Sequence, residues 1–254
     1  MVIRSGLLNT RKGIAVTAVS PEIVKEFAPT GSLRAAINQG NSVLAQKGPN
    51  GEPLGITVDM ARELGKRLGV PVELSIFDAA GKAFEALRTS LDIGFLAIEP
   101  VRAAEVDFTA PYVLIEGTYL VPKDSALKRI EDVDAAGIRI GVNKNSAYDL
   151  FLTRTLKSAM LHRSDDGVAL FKSEKLEAAG GVRQPLEAYA RKDPAVRVME
   201  GRFMAIQQAM GMPKGRPKAH AYLKGFVEEM KASGFCADAL KRSNQPDAQV
   251  APKV

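Results

Sequence analysis

The sequence is poor in the residues that carry metal, redox and stacking chemistry. It has one cysteine in 254 residues, so no intramolecular disulfide is available. That residue, Cys236, falls in an amphipathic stretch, where a small buried side chain is the default role. The two histidines, His162 and His220, are isolated in the chain, and no histidine-based metal site is visible. Neither a metal nor an organic cofactor is expected. Aromatic residues make up only 6%, and the 35 Lys and Arg are scattered among 29 Asp and Glu. Without a basic stripe or stacking aromatics, the net charge of +6 does not indicate a nucleic-acid partner. It reads as a solvated surface with a weak pull on anions. No apolar run approaches the length that crosses a bilayer. What remains is ordinary for a globular protein: 46% hydrophobic, 25% charged, and long enough for a large core in one or two domains.

The chain is organised around Glu99–Tyr112. The apolar run Ile93-Gly94-Phe95-Leu96-Ala97-Ile98 reads as a buried strand, which Pro100 stops, and Arg102 follows at once. Ligands of α/β folds collect beyond the carboxyl ends of strands. An arginine on a short, Pro-stiffened loop there is a candidate anion clamp, because its planar fork of donors matches a carboxylate. A surface arginine paired with Glu99 or Glu105 is the alternative.

Around that stretch the elements alternate. After an N-terminal arm, with a short helix from Pro21 to Phe27 capped by Ser20, Leu33–Asn38 reads as a strand and Asn41–Gly51 as a loop. Met60, Leu64 and Leu68 recur at helical spacing within Gly55–Gly69. A strand at Val72–Ile76, a helix at Ala79–Thr89 and the strand at Leu91–Ile98 complete a βαβαβ run, which predicts a parallel sheet with covering helices. The pattern restarts with a strand at Ile138–Val142, a polar turn at Asn143–Ser146 and a helix from Tyr148. It returns through extended segments at Val196–Met199 and Phe203–Met212 to a closing helix, Pro217–Ser233. The second unit is thus inserted into the first. Two crossings, near Thr118–Pro122 and Met199–Phe203, predict a hinge around an interlobe cleft.

Five segments occur in a telling order: Gly-Ile-Thr-Val-Asp-Met-Ala (55–61), Leu91-Asp92-Ile93, Pro100-x-Arg102, Val106-Asp107-Phe108-Thr109-x-Pro111-Tyr112 and Tyr119-Leu-Val-Pro122. From about Gly31 to about Leu240 the chain resembles the polar-amino-acid type (family 3) of bacterial extracellular solute-binding proteins, the substrate receptors of ABC importers. The resemblance implies an α/β fold of type II periplasmic-binding-protein form, with two parallel or mixed sheets joined by a two-strand hinge. The divisions are an arm (1–30), a discontinuous first lobe (31–120 plus 201–245), a second lobe (121–200) and a flexible tail (246–254). It also implies a monomer, a small amino-acid or carboxylate ligand, a membrane permease as partner, and a periplasmic location. Against export, Arg4, Arg11 and Lys12 precede an apolar-leaning Gly13–Ser20 too short for a convincing signal segment, which leaves the cytoplasm open.

Carried over residue by residue, the resemblance makes Arg102 the clamp for the ligand's α-carboxylate, with Leu96, Ala97 and Ile98 on the floor. Where the family usually has Thr, three residues before the arginine, this chain has Glu99, which can receive a ligand ammonium or simply neutralise Arg102. The loop that covers the ligand corresponds to Asn41–Gln46, including Leu44, and it lacks the family's aromatic residue. On the second lobe Asn145-Ser146-Ala147 matches a turn at a helix start whose N–H groups hold the carboxylate; Ser146 alternatively only caps that helix. The family's ammonium-binding Asp is missing, and Arg183 or Gln184 stands in its place. If Arg183 faces the cleft rather than solvent, dicarboxylates or acidic amino acids are favoured over cationic ones. Cyclohexadienyl dehydratases share the fold, so an enzyme with Glu99 as general acid or base is the alternative function.

Overall fold

The computed structural model describes residues 19–245 and 247–254. The part of the expected arm that carries Arg4, Arg11 and Lys12 lies outside the described residues. Helix α1 (Pro21–Phe27) begins at Pro21 as expected, but the Ser20 hydroxyl makes no capping bond; its carbonyl takes the Val24 N–H at 3.1 Å instead.

The first unit is built from β1 (Leu33–Asn38), the small hairpin β2 (Gln46–Lys47) and β3 (Pro53–Leu54), and α2 (Ile56–Leu68). It continues through β4 (Val72–Phe77), α3 (Ala80–Thr89), β5 (Ile93–Ala97) and the single turn α4 (Pro100–Ala103). Met60, Leu64 and Leu68 bury the core stripe of α2, which Gly69 closes in the left-handed conformation at φ 69°. β1 pairs in parallel with β4 and β5, the arrangement the βαβαβ pattern predicts.

Strand β6 runs unbroken from Val106 to Pro122 and is longer than the sequence suggests. The crossing expected near Thr118–Pro122 covers only its last few residues. Pro111 hides the rest, because it cannot donate to a ladder. The partner strand β11 (Met204–Pro213) absorbs it with register shifts on either side of Ala209, the residue opposite Pro111.

The second unit comprises a 3-10 turn (Ile130–Val133), β7 (Arg139–Asn143), α5 (Ala147–Thr155), β8 (Met160–Ser164) and α6 (Gly167–Ser173). β9 (Ala178–Val182), α7 (Arg183–Ala190) and β10 (Val196–Val198) complete it before the chain returns through β11. Helices α8 (Pro217–Ala232) and α9 (Phe235–Arg242) and strand β12 (Gln249–Val250) then pack on the first unit. Strand order is β4-β1-β5-β11-β6-β9-β7-β8, with β10 and β12 also on β6. β6 pairs with β11 as far as Gly117 and with β9 from Gly117 to Leu120, so the two expected sheets share one strand.

The C-terminal stretch is not the flexible tail that its polar composition suggests. Val250 pairs with Val113, the Ala251 N–H donates to the Tyr112 carbonyl at 3.0 Å, and the buried Lys231 ammonium donates to the Pro252 carbonyl at 2.9 Å. The anchor is small: Ala248 and Ala251 fill the core without needing a bulky side chain. Deleting residues 249–254 should remove two or three net hydrogen bonds and cost about 2 kcal/mol. In a chain of this size that lowers Tm by roughly 4–8 °C. An unchanged calorimetric melt would show that the strand contributes nothing.

Candidate functional site

A cavity of about 310 Å³ lies between the two units. From the first unit, β5 is buried along its whole length and ends at Ala97. Glu99 then takes the N-cap position of α4 and Pro100 its first position, where a missing N–H is harmless. That single turn aims Arg102 back under the strand end. The Arg102 side chain is 2% exposed and lines the cavity. Nη1 donates to the Ala97 carbonyl at 3.2 Å and Nη2 to the Asn145 carbonyl at 2.9 Å. Two of its five N–H donors are therefore used, and none of the described carboxylates lies within ion-pair distance. Burial pushes its pKa down to about 10, opposed by the nearby charge of Glu99, so it stays cationic at neutral pH.

The second unit meets this wall with the start of α5. Ser146 caps that helix, its hydroxyl accepting the Asp149 N–H at 3.1 Å, and it also lines the cavity. The capping and the cleft-facing readings of Ser146 therefore describe one and the same placement. The next N–H groups, of Ala147 and Tyr148, belong to the helical turn that has no intrahelical acceptor, and both residues line the cavity. Asn145, at φ 59°, supplies its carbonyl to Arg102 and its N–H to Asp149 but does not itself line the cavity. The two units are in contact here: a Cβ added at Gly81, at the start of α3, would lie 2.9 Å from the Asn145 Cβ.

Of the other expected residues, Leu96, Ala97, Asn41 and Leu44 line the cavity. Glu99 does not. It is 2% exposed and forms an ion pair with Arg154 of α5 across the two units. In this arrangement its carboxylate is engaged by Arg154 and does not pair with Arg102. Arg183 is also off the wall. Its Nε donates to Glu116 at 2.7 Å, and its guanidinium reaches the Met199 and Gly201 carbonyls on the returning crossing. This pairing holds the Glu116 carboxyl below its ordinary range, with Arg202 adding to the effect. Gln184 is away from the cavity too, its Oε1 buried without a described partner. Arg183 is therefore not a second cation of the cleft wall, and the preference for dicarboxylates that rested on it loses its basis.

Other groups occupy the wall instead. Asp78, Asp165 and Asp166 stand against Arg102 and Lys144, so acidic side chains outnumber cationic ones. Aromatic surface comes from Phe95 and Tyr148, not from the Asn41–Gln46 loop. Burial pushes the Tyr148 phenol up from its ordinary range, so it stays protonated. Gln208 of β11 also lines the cavity, although it is 5% exposed. The available signal for it was a polar pair, Gln207-Gln208, inside the otherwise apolar run Ile206–Met212. Among the described residues no cluster of His, Cys, Asp and Glu is suited to a metal, and no helix is long and apolar enough to cross a membrane.

Two α/β units joined through shared strands, with a buried arginine in the cleft between them, define a two-lobed solute-binding protein of type II form. Residues 33–243 match the family of bacterial extracellular solute-binding proteins, family 3, and the chain belongs to it. It is a solute receptor. The L-cystine-binding protein TcyJ of Escherichia coli (strain K12) is 21% identical over 87% of this chain and 89% of its own length. An ancestral amino acid-binding protein, AncCDT-1, described as a precursor of cyclohexadienyl dehydratase, is 27% identical. It covers 86% of this chain and 97% of its own with a TM-score of 0.69. A solute receptor for L-cysteine of Neisseria gonorrhoeae shares the fold at 24% identity and a TM-score of 0.74, over 88% and 94% of the two chains.

Proposed function

We propose that the protein captures an α-amino acid between its lobes and delivers it, as a periplasmic monomer, to the permease of an ABC importer. The observation that carries this reading is Arg102, buried in the cleft wall without a carboxylate partner and with donors to spare. Desolvating an unpaired cation is costly unless something compensates it. A ligand carboxylate would take the free edge of the fork, beside the N–H groups that begin α5. The acidic lining favours an ammonium elsewhere on the same ligand. The cavity is of a size for small ligands. The named relatives, which bind cystine, cysteine or amino acids, support the class. The lobes divide at 31–120 plus 201–245 and 121–200, supported by the switch of β6 from β11 to β9 at Gly117.

A dehydratase-like reaction has less support, because Glu99 is tied to Arg154 and stands off the cavity wall. A thermal-shift screen over amino acids, dicarboxylates and other organic acids tests the proposal. A ligand at a hundred times its Kd should add about 2.7 kcal/mol of stability. The expected hits are amino acids; stabilisation by dicarboxylates alone would refute the reading. Each hit should be recovered unchanged by mass spectrometry after incubation, and turnover lost in Glu99→Gln would instead establish the enzyme.

A further inference from the structure

Arg102 and the N–H groups that begin α5 are donors only, and so is the ammonium of an amino acid. A site that holds the carboxylate with these groups still needs an acceptor close by. The family position for it carries Arg183, which is engaged with Glu116 and the returning crossing. Of the three rim carboxylates, Asp78 pairs with Lys82 at 2.8 Å, Asp166 caps α6 by accepting the Val168 and Ala169 N–H groups at 3.0 Å each, and Asp165 is exposed to solvent rather than set on the cavity floor.

Gln208 is placed differently. It stands opposite Ala97 in the antiparallel β5–β11 pairing, and Ala97 is the residue whose carbonyl holds Arg102. Directly opposed residues in a sheet project to the same face with Cβ atoms about 5 Å apart, so Gln208 and Ala97 share the cavity floor. Gln208 is 5% exposed and lines the cavity, and its carboxamide makes no hydrogen bond to a described side chain or backbone group, so its polar end opens onto the cavity. A carboxamide held on a cavity wall with no protein partner offers its hydrogen bonds to whatever fills the cavity, which marks it as a place where a ligand is read.

We propose that Gln208 is a specificity-determining ligand contact, its carboxamide oxygen accepting from the ammonium of an amino acid whose carboxylate lies on Arg102. This inference rests on the amino-acid reading of the same cavity. It puts on β11 the acceptor that the start of α7 does not supply. It also makes recognition of the amine a matter of hydrogen bonding to a neutral group, with the acidic rim as background field. Acids lacking the amine leave the amide unpaired and are rejected for that reason.

The test uses the full chain, the proteinogenic L-amino acids and L-cystine as probes, and calorimetry on the tightest of them. The companion ligand is the same acid with hydrogen in place of the α-amino group. Gln208→Leu should weaken the amino acid roughly 10- to 100-fold while the desamino acid binds as tightly as to wild type or more tightly, because no amide is left unpaired. Gln208→Glu, nearly isosteric, should bind the amino acid at least as tightly as wild type and the desamino acid more weakly, by like-charge repulsion. If Gln208→Leu fails to fold, the Gln208→Glu pair of measurements decides alone. Wild-type amino-acid affinity in Gln208→Leu overturns this inference and leaves the amino-acid reading standing. Equal losses for both ligands overturn it too, since Gln208 then only shapes the cavity. A wild-type protein that no amino acid stabilises overturns both.

Discussion

Replacing Arg102 by alanine should abolish most ligand affinity while leaving the unliganded fold close to its original stability. The two halves of that result have one cause. The guanidinium is 2% exposed, holds two carbonyls and lacks a carboxylate partner, so its own contribution to folding is small or unfavourable. Its value appears when a ligand carboxylate arrives. Truncating one side of a buried charge pair costs about 2–5 kcal/mol, which corresponds to roughly 30- to 5,000-fold in Kd. Arg102→Lys should recover only part of the loss, since an ammonium keeps the charge but not the planar fork. Calorimetry on a screened amino acid measures the first half and a melt without ligand the second. Unchanged affinity in Arg102→Ala would remove the clamp from the site.

Arg154→Ala should weaken binding without touching the ligand. Arg154 is held by the Leu150 carbonyl at 2.9 Å and lies 5.8 Å from the Phe151 ring centroid, and from there it pairs with Glu99 of the other lobe. Glu99 is 2% exposed with the lobes in contact here, whereas the Arg154 side chain keeps 39% of its exposure. Removing the arginine strands a buried carboxylate, which costs about 3–5 kcal/mol when both partners are buried. With one partner in partial contact with water, about 2 kcal/mol is the better figure. Opening the lobes rehydrates Glu99, so the penalty falls on the closed state alone. A ligand that needs closure then binds roughly 30-fold more weakly. X-ray scattering should show an unliganded variant more extended than wild type. Glu99→Gln added to Arg154→Ala should return much of the affinity, because no charge is left stranded. An Arg154→Ala protein with wild-type Kd and dimensions would show that the pair has no part in closure.

Much of this protein is local in the chain and therefore readable from it. The buried strand β5, the stop at Pro100 and the arginine two residues on are consecutive, and the turn geometry alone sends Arg102 to the cleft. The stripe of α2, closed by Gly69, and the Ser146 cap of α5 depend on neighbours three and four residues away. The alternation of strands and helices was enough for a two-lobed α/β fold. What the sequence left undecided is where long charged side chains turn, because their partners are remote in the chain. Glu99 lies 55 residues from Arg154 and Arg183 lies 67 from Glu116, so neither pairing leaves a trace in local spacing. Both residues were expected in the cleft, and both are held outside it. The C-terminal strand looks like a polar tail in sequence because small alanines and backbone groups, rather than large apolar side chains, anchor it, and its partners Val113 and Leu114 are remote in the chain. Gln208 reaches the cavity through register alone. Side chains alternate along β11, and a slip of one residue would send Gln207 inward in its place. Only the packing of that strand against β5, with its bulges around Pro111, decides which of two adjacent glutamines faces the site.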